Sequence, residues 1–380
     1  MTTPLWGNES DKPVQHLRII DMTVMLTGPL LTRVLVQYGA DVIKVEHLPH
    51  GDHLREKKNS GFFELLNQGK RSLALNLGTI EATMVMKQLV NEADIFIENF
   101  KEGVMDGFDL GYDDLSEENP DLLYLSLRGF SGNRKVRSGH DLNFIATSGC
   151  GDFFLESGPH YSTQFADIVG GVSIPLIKLL FQLASPRQKG KHIVSNNDES
   201  FRFLYLPRAY DHFKSEQLPP HEKEEFGWQT VLGGDEPHSR YYKCRDDKWV
   251  ALNAVQKNHW EKFCDVVDKS DWKNRLSDPN LTSEMQKLFL DAPSTYWETI
   301  ASKNEICLTK VVSWDELIAS TPTRQQLEGD PLTWCGLTPN PKLSAAPVLG
   351  RDTLSITQGI GFTNREIAEW LDKKILFQAS

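Results

Sequence analysis

The sequence predicts an α/β protein, with a Rossmann-like large domain on a parallel sheet and a smaller α+β domain. Three observations predict it. Short β-branched runs alternate with amphipathic helical stretches through the first third of the chain, the pattern of repeated βαβ units. The connections between those runs are long enough for helical crossovers, so the strands they join lie parallel. A charged, proline-containing stretch (SEQLPPHEKEEFG) then separates this region from a shorter one with its own strand pair and helices.

The first strand is expected at Leu17–Met22 (LRIIDM) and the second at Asp41–Glu46 (DVIKVE). Between them TGPLLTRVLVQYG reads as a helix, with Thr27 as N-cap, Pro29 in the first turn and Gly39 at the left-handed C-terminal position. Ser72–Leu77, Asp94–Glu98 and Leu122–Leu127 are the next strands, with a helix over Thr79–Asn91. The most apolar stretch, Phe165–Ala184, holds Asp167, Pro175 and Lys178, and is expected as a buried helix and not a membrane span. SRYYKC and KWVALNAV form the later strand pair. The chain closes on a helix near Thr363–Lys374, where Thr363 and Glu366 have capping-box spacing.

Composition limits the function. Of 380 residues 39% are hydrophobic and 24% charged, and the net charge of −11 disfavours nucleic acid or an anionic membrane as partner. Five cysteines without CxxC spacing suit a reducing compartment, and the N-terminus has no signal-peptide pattern, so a cytoplasmic location is expected. The loop after the first strand, TVMLTGP, lacks the glycine fingerprint of dinucleotide sites, and no P-loop occurs. His47, His50 and His53 are spaced like ligands, but Pro49 and Gly51 break any helix that would align them, and no metal site is expected.

Several segments carry a resemblance. They are LRIIDMTVMLTGPLLTRVLVQYGADVIKVE with Gly51–Asp52, FFELLNQGKRSLALNL, ADIFIENFKEGVMDGFDLGYDDL and NPDLLYLSLRGF, followed by SGHDLNFIATSG, FADIVGG, LGGDEPHSRYYKCRDDKWVALNAV and APVLGRDT. In this order they resemble the family III coenzyme A transferases and their relatives, the α-methylacyl-CoA racemases, over nearly the whole chain. The resemblance implies a large CoA-binding domain from residues 1–205 and 330–380, a linker at 206–233, a small domain at 234–321 and a return linker at 322–329. It also implies an interlocked homodimer, with an acyl-CoA as substrate and no separate cofactor.

The resemblance puts Asp167 at the chemical centre, as nucleophile toward the thioester in transferases or as one of two bases in racemases. Gly170 and Gly171 after it permit close backbone approach. His140 stands where racemases carry histidine, with Asp141 beside it. An imidazole titrating near neutrality suits proton removal from an α-carbon that a thioester has acidified. Gln256 occupies the place of the glutamate that racemases set against that histidine, and a neutral amide stabilises imidazolium less than a carboxylate. His47, Lys70, Arg71, Asn99, Phe100, Lys101 and Met105 match CoA-contacting stretches. The expected activity is α-methylacyl-CoA racemisation through an enolate, with CoA transfer through Asp167 as the alternative. A non-catalytic CoA-binding protein is the third reading.

Overall fold

The computed structural model describes residues 14–56, 60–135, 137–151, 163–185, 190–217, 219, 236–329, 331–337 and 343–379. The chain divides into two compact units, Met1–Tyr205 with Gln326–Ser380, and Leu206–Gln325.

In the first unit alternating apolar residues build a sheet buried on both faces. Its strands are β1 (Arg18–Asp21), β2 (Asp41–His47), β3 (Arg71–Leu75), β4 (Ile95–Glu98), β5 (Leu123–Arg128) and β6 (Lys191–Asn196). All their pairings are parallel, in the order β3-β2-β1-β4-β5-β6. The C-terminal strand Leu376–Phe377 adds to β3 antiparallel. Successive residues serve opposite faces, as the pleat requires. Ile20, Ile43, Leu73 and Phe96 pack in one apolar cluster, and Ile19, Val42, Ile95 and Leu125 in the other. Each such side chain contributes roughly 1.5–3 kcal/mol when fully buried.

The crossover helices are α1 (Thr27–Gln37), α2 (Ser60–Asn67), α3 (Ile80–Val90), α4 (Tyr112–Glu118) and α5 (Asp141–Thr147). Thr79 caps α3 by accepting the Ala82 N–H at 3.3 Å. Thr27 does not cap α1: it is the first helical residue, Leu26 holds the cap position, and no side chain bonds there. Gly39 does take a left-handed φ of 109° beyond α1. The apolar helical stretch runs through α6 (Phe165–Ile168), a π-turn at Val169–Ser173 and α7 (Ile174–Leu183). It is less buried than its composition suggests, because Ile177, Leu180 and Phe181 are exposed. The strand β6, whose KHIVSN sequence has no polar–apolar alternation, is hidden in the sequence, with Lys191, His192 and Val194 exposed. It leads into the short helix α8 (Asn197–Ser200).

The C-terminal helix Asn364–Asp372 starts at the expected capping box: Thr363 Oγ1 accepts the Glu366 N–H at 3.3 Å and Glu366 Oε2 accepts the Thr363 N–H at 2.8 Å.

The second unit has an antiparallel sheet of β7 (Ser239–Lys243), β8 (Trp249–Asn253) and β9 (Leu308–Lys310). Helices Lys257–Val266, Leu281–Leu290 and Ser294–Asn304 cover it around an aromatic core that includes Tyr242, Trp260, Phe263, Phe289 and Trp297. Of the expected linker at 206–233, Leu206–Ser215 is helical, while 218 and 220–233 lie outside the described residues. The expected return linker at 322–329 is helical within Thr321–Gly329.

Candidate active site

The strand order reverses at β1, so the crossovers from β1 and β4 leave in opposite directions and open a crevice at the carboxyl edge of the sheet. A cavity of about 900 Å³ lies there, within the range of small-molecule sites. Its walls are Val24–Thr27 after β1, Asn99–Lys101 after β4, Leu127–Gly129 ending β5, His140–Phe144 around α5, and Asp167 and Asn197.

Asp167 is the third residue of α6, held from two sides. Its backbone N–H donates to Asp141 Oδ1 at 3.0 Å, and its Oδ1 accepts from Asn197 Nδ2 at 2.9 Å. It is not the helix cap, since Gln164 takes that position. A Cβ on Gly170 would stand 2.5 Å from the Asn197 carbonyl oxygen, and one on Gly171 2.5 Å from Thr27 Cγ2. The glycine pair therefore lets the helix bearing Asp167 seat directly on α8 and α1. The π-turn immediately after it is a device concentrated at functional sites. Burial, with the Asp141 charge adding to it, pushes the Asp167 carboxyl up to about 6 against the opposing Asn197 hydrogen bond. Burial also raises the Asp141 carboxyl.

His140 precedes α5, its N–H bonded to Asn143 Oδ1 at 3.0 Å, and its exposed side chain lines the same cavity. Among the described residues no carboxylate pairs with its imidazole. Asp141 is buried and serves Asp167 through the backbone. Gln256 belongs to the second unit, at the N-cap position before Lys257–Val266.

The expected CoA-contacting residues divide. Asn99, Phe100 and Lys101 line the cavity. Lys70 does not, and the reason is electrostatic. Its side chain is fully buried, and Nζ donates to Asp21 Oδ2 (2.9 Å), Pro29 O (3.0 Å) and Asn67 Oδ1 (2.8 Å), which uses all three protons. Burial pulls this ammonium down to about 8. Arg71 begins β3, at the opposite edge of the sheet from the cavity, and grips Asp41 with two bonds of 3.0 Å. Met105 is buried in the apolar core. His47 ends β2 and accepts the Leu77 N–H on Nδ1 at 3.3 Å. Among the described residues no group of three or more His, Cys, Asp or Glu is placed to hold a metal.

Two sets of wall residues escaped the sequence reading. Asn197 follows β6, the strand that carried no clear period. Arg128, Lys135 and Arg137 bring positive charge to the cavity, with Arg128 bound to the buried Glu98 at 2.6 Å and Lys135 to Glu102 at 2.9 Å. The cations at 135 and 137 stand just ahead of SGHDLNF, outside the segments that carry the resemblance.

Comparison with known proteins adds a lineage. The profile of CoA-transferase family III matches residues 14–328. The chain is 32% identical over 282 residues to a succinyl-CoA:mesaconate CoA-transferase of Haloarcula marismortui, covering 68% of each. It is 26% identical to the α-methylacyl-CoA racemase of Homo sapiens, over 96% of this chain and 97% of that one. A CAIB/BAIF family protein from Brucella suis shares the fold, with a TM-score of 0.70 at 21% identity, over 95% of this chain and all of that one.

Proposed function

The chain belongs to CoA-transferase family III, and from that premise we propose that it moves coenzyme A between carboxylic acids through a covalent intermediate on Asp167. The observation that carries this reading is the state of one carboxylate. Asp167 lies in the cavity wall, its charge raised in energy by burial, and its bonded partner is a neutral amide. A cationic partner would stabilise the carboxylate and blunt it as a nucleophile. Asn197 orients Oδ1 without cancelling the charge and leaves Oδ2 for reaction.

The free oxygen attacks the thioester carbonyl, the C–S bond breaks, and the acyl group remains on Asp167 as a mixed anhydride while CoA departs as thiolate. The thiolate then attacks the aspartyl carbonyl, releasing the first acid and leaving CoA on Asp167 as a thioester. The carboxylate of the second acid repeats the two steps in reverse order. No oxidant or further cofactor is needed, and CoA enters as part of the substrate. Lys101, Lys135 and Arg137 are the cavity cations suited to its phosphates. We place the enzyme in the cytoplasm as a homodimer, with no nucleic acid or membrane partner.

A second reading, racemisation, is favoured by His140 on the same cavity. With Asp167 it would supply two proton-transfer groups, and a carboxyl near 6 suits that work. It ranks second because no carboxylate among the described residues steadies the imidazole, and Gln256 is neutral.

One experiment separates the readings. A panel of CoA thioesters is incubated in heavy water with and without free acids. Transfer predicts a new thioester only when acid is added, an acyl or CoA adduct on Asp167 by mass spectrometry, and its loss with hydroxylamine. Asp167→Ala should lower turnover by at least ~10³-fold and His140→Ala by far less. Deuterium at the α-carbon without acid, and no adduct, would replace transfer by racemisation.

A further inference from the structure

The cavity wall after β1 has a conformation its residues would not choose unaided. Met25 has a φ of 67°, in the left-handed region that side chains of its kind rarely enter. Neighbours on both sides hold it there. Asn99 Oδ1 accepts the Val24 N–H at 2.9 Å, and its Nδ2 donates to the Val24 carbonyl at 2.8 Å. The Met25 N–H donates to the Asp52 carboxylate, 3.2 Å from Oδ2 and 3.3 Å from Oδ1. Lys44 Nζ donates to the Thr23 carbonyl at 2.8 Å and ion-pairs with Asp52 at 3.1 Å, both side chains fully buried.

A fully buried ion pair is a poor way to stabilise a core, because desolvating two charges offsets much of their attraction. Here both partners bond the backbone of a strained segment that lines the cavity, and Asp52 Oδ1 also accepts the Leu54 N–H at 3.0 Å. Strain of this kind persists where surrounding structure over-determines it, and it concentrates at active sites. Thr27, at the end of the segment, abuts the Gly171 position on the helix that carries Asp167. The wall is thereby keyed to the nucleophile.

We propose that Asp52 is a positioning residue. With Lys44 it fixes the left-handed turn at Met25, and so holds the Val24–Thr27 wall in register with Asp167 for attack on the bound thioester. Asp52 is not among the residues lining the cavity and acts through the backbone of those that do. The inference rests on the transfer reading of the cavity.

The test is a double-mutant cycle between positions 52 and 25. Asp52→Asn keeps an acceptor for the Met25 N–H but removes the charge that pairs with Lys44. It should lower kcat about 10-fold or more, with the thioester KM changed less, because misplacement of a wall costs rate before affinity. Glycine adopts a positive φ without support. In a Met25→Gly background Asp52→Asn should therefore cost no more than about threefold. If Asp52→Asn fails to fold, Lys44→Met combined with Asp52→Asn removes both buried charges and should fold while still losing kcat. An equal loss in both backgrounds, or unchanged kcat in the folded Lys44→Met/Asp52→Asn variant, overturns the proposal. Calorimetric titration of the wild type with free CoA keeps the two failures apart, since a wild type that binds no CoA refutes the transfer reading itself.

Discussion

Asp167 carries a measurable energetic cost at the residue scale. Its carboxyl rises from the ordinary 3.8 to about 6 on folding, first through burial and then through Asp141. The folded chain thus holds its proton more tightly than the unfolded chain, and this group's contribution to stability declines as pH rises from about 4 to 6. Above that window the ionised side chain costs roughly 2–3 kcal/mol. Asp167→Asn keeps the oxygen that Asn197 holds and removes the charge. It should raise the melting temperature at pH 8, with the gain shrinking toward zero near pH 4, while abolishing transfer. A variant that melts lower at pH 8 would contradict the assignment of strain to this charge. The residues around Asp167 differ in how legible they were. Asp167 and Asp141 stand in segments that carry the family resemblance, and their expected roles came from it. Lys70 was expected to contact CoA, but its partner Asp21 lies 49 positions away, and only the fold reveals that the pair is buried.

Elements decide how tightly the nucleophile is seated. Gly170 and Gly171 sit in the same π-turn but face different neighbours. A Cβ at 170 would meet Asn197 backbone atoms, its carbonyl oxygen at 2.5 Å and its Cα at 3.0 Å, which cannot turn aside. A Cβ at 171 would meet Thr27 Cγ2 at 2.5 Å, and Thr27 Cβ and Asn197 Oδ1 each at 3.0 Å. Gly170→Ala should therefore destabilise by about 1–3 kcal/mol and cut activity further by displacing Asn197 from Asp167. Gly171→Ala should cost less stability, because Thr27 can rotate. Chemical denaturation and turnover of the two variants check the ranking, and a reversed order would refute it. The βαβ elements were readable because each keeps one period over its length, as β2 and α3 do. The strand β6 was not, since three of its six residues are exposed. The start of α1 was also misread. Threonine at position 27 fits a cap by propensity, yet it is drawn one residue into the helix, where its methyl packs at Gly171.

The whole molecule presents apolar surface that its own first unit does not cover. Phe181 is 75% exposed, and Ile177 and Leu180 on the same helix are 43% and 44% exposed. The helical run Phe165–Leu183 is long and apolar enough to cross a membrane by length and hydropathy, with 33% of that window buried. Asp167 and Lys178 lie within the run, which argues for protein as the cover, as the proposed homodimer would supply. In a two-fold interface each substitution enters twice. Burying one phenylalanine contributes roughly 1.5–3 kcal/mol, so Phe181→Lys should remove about 3–6 kcal/mol from association, a loss of at least 10²-fold in dimer affinity. Sedimentation velocity across a dilution series should show twice the chain mass for the wild type and a shift toward the single-chain mass for Phe181→Lys. The fold of each variant chain is checked by circular dichroism. A wild type that sediments as a single chain at all concentrations, or a Phe181→Lys variant that dimerises as well as the wild type, would leave the apolar helix to some other partner.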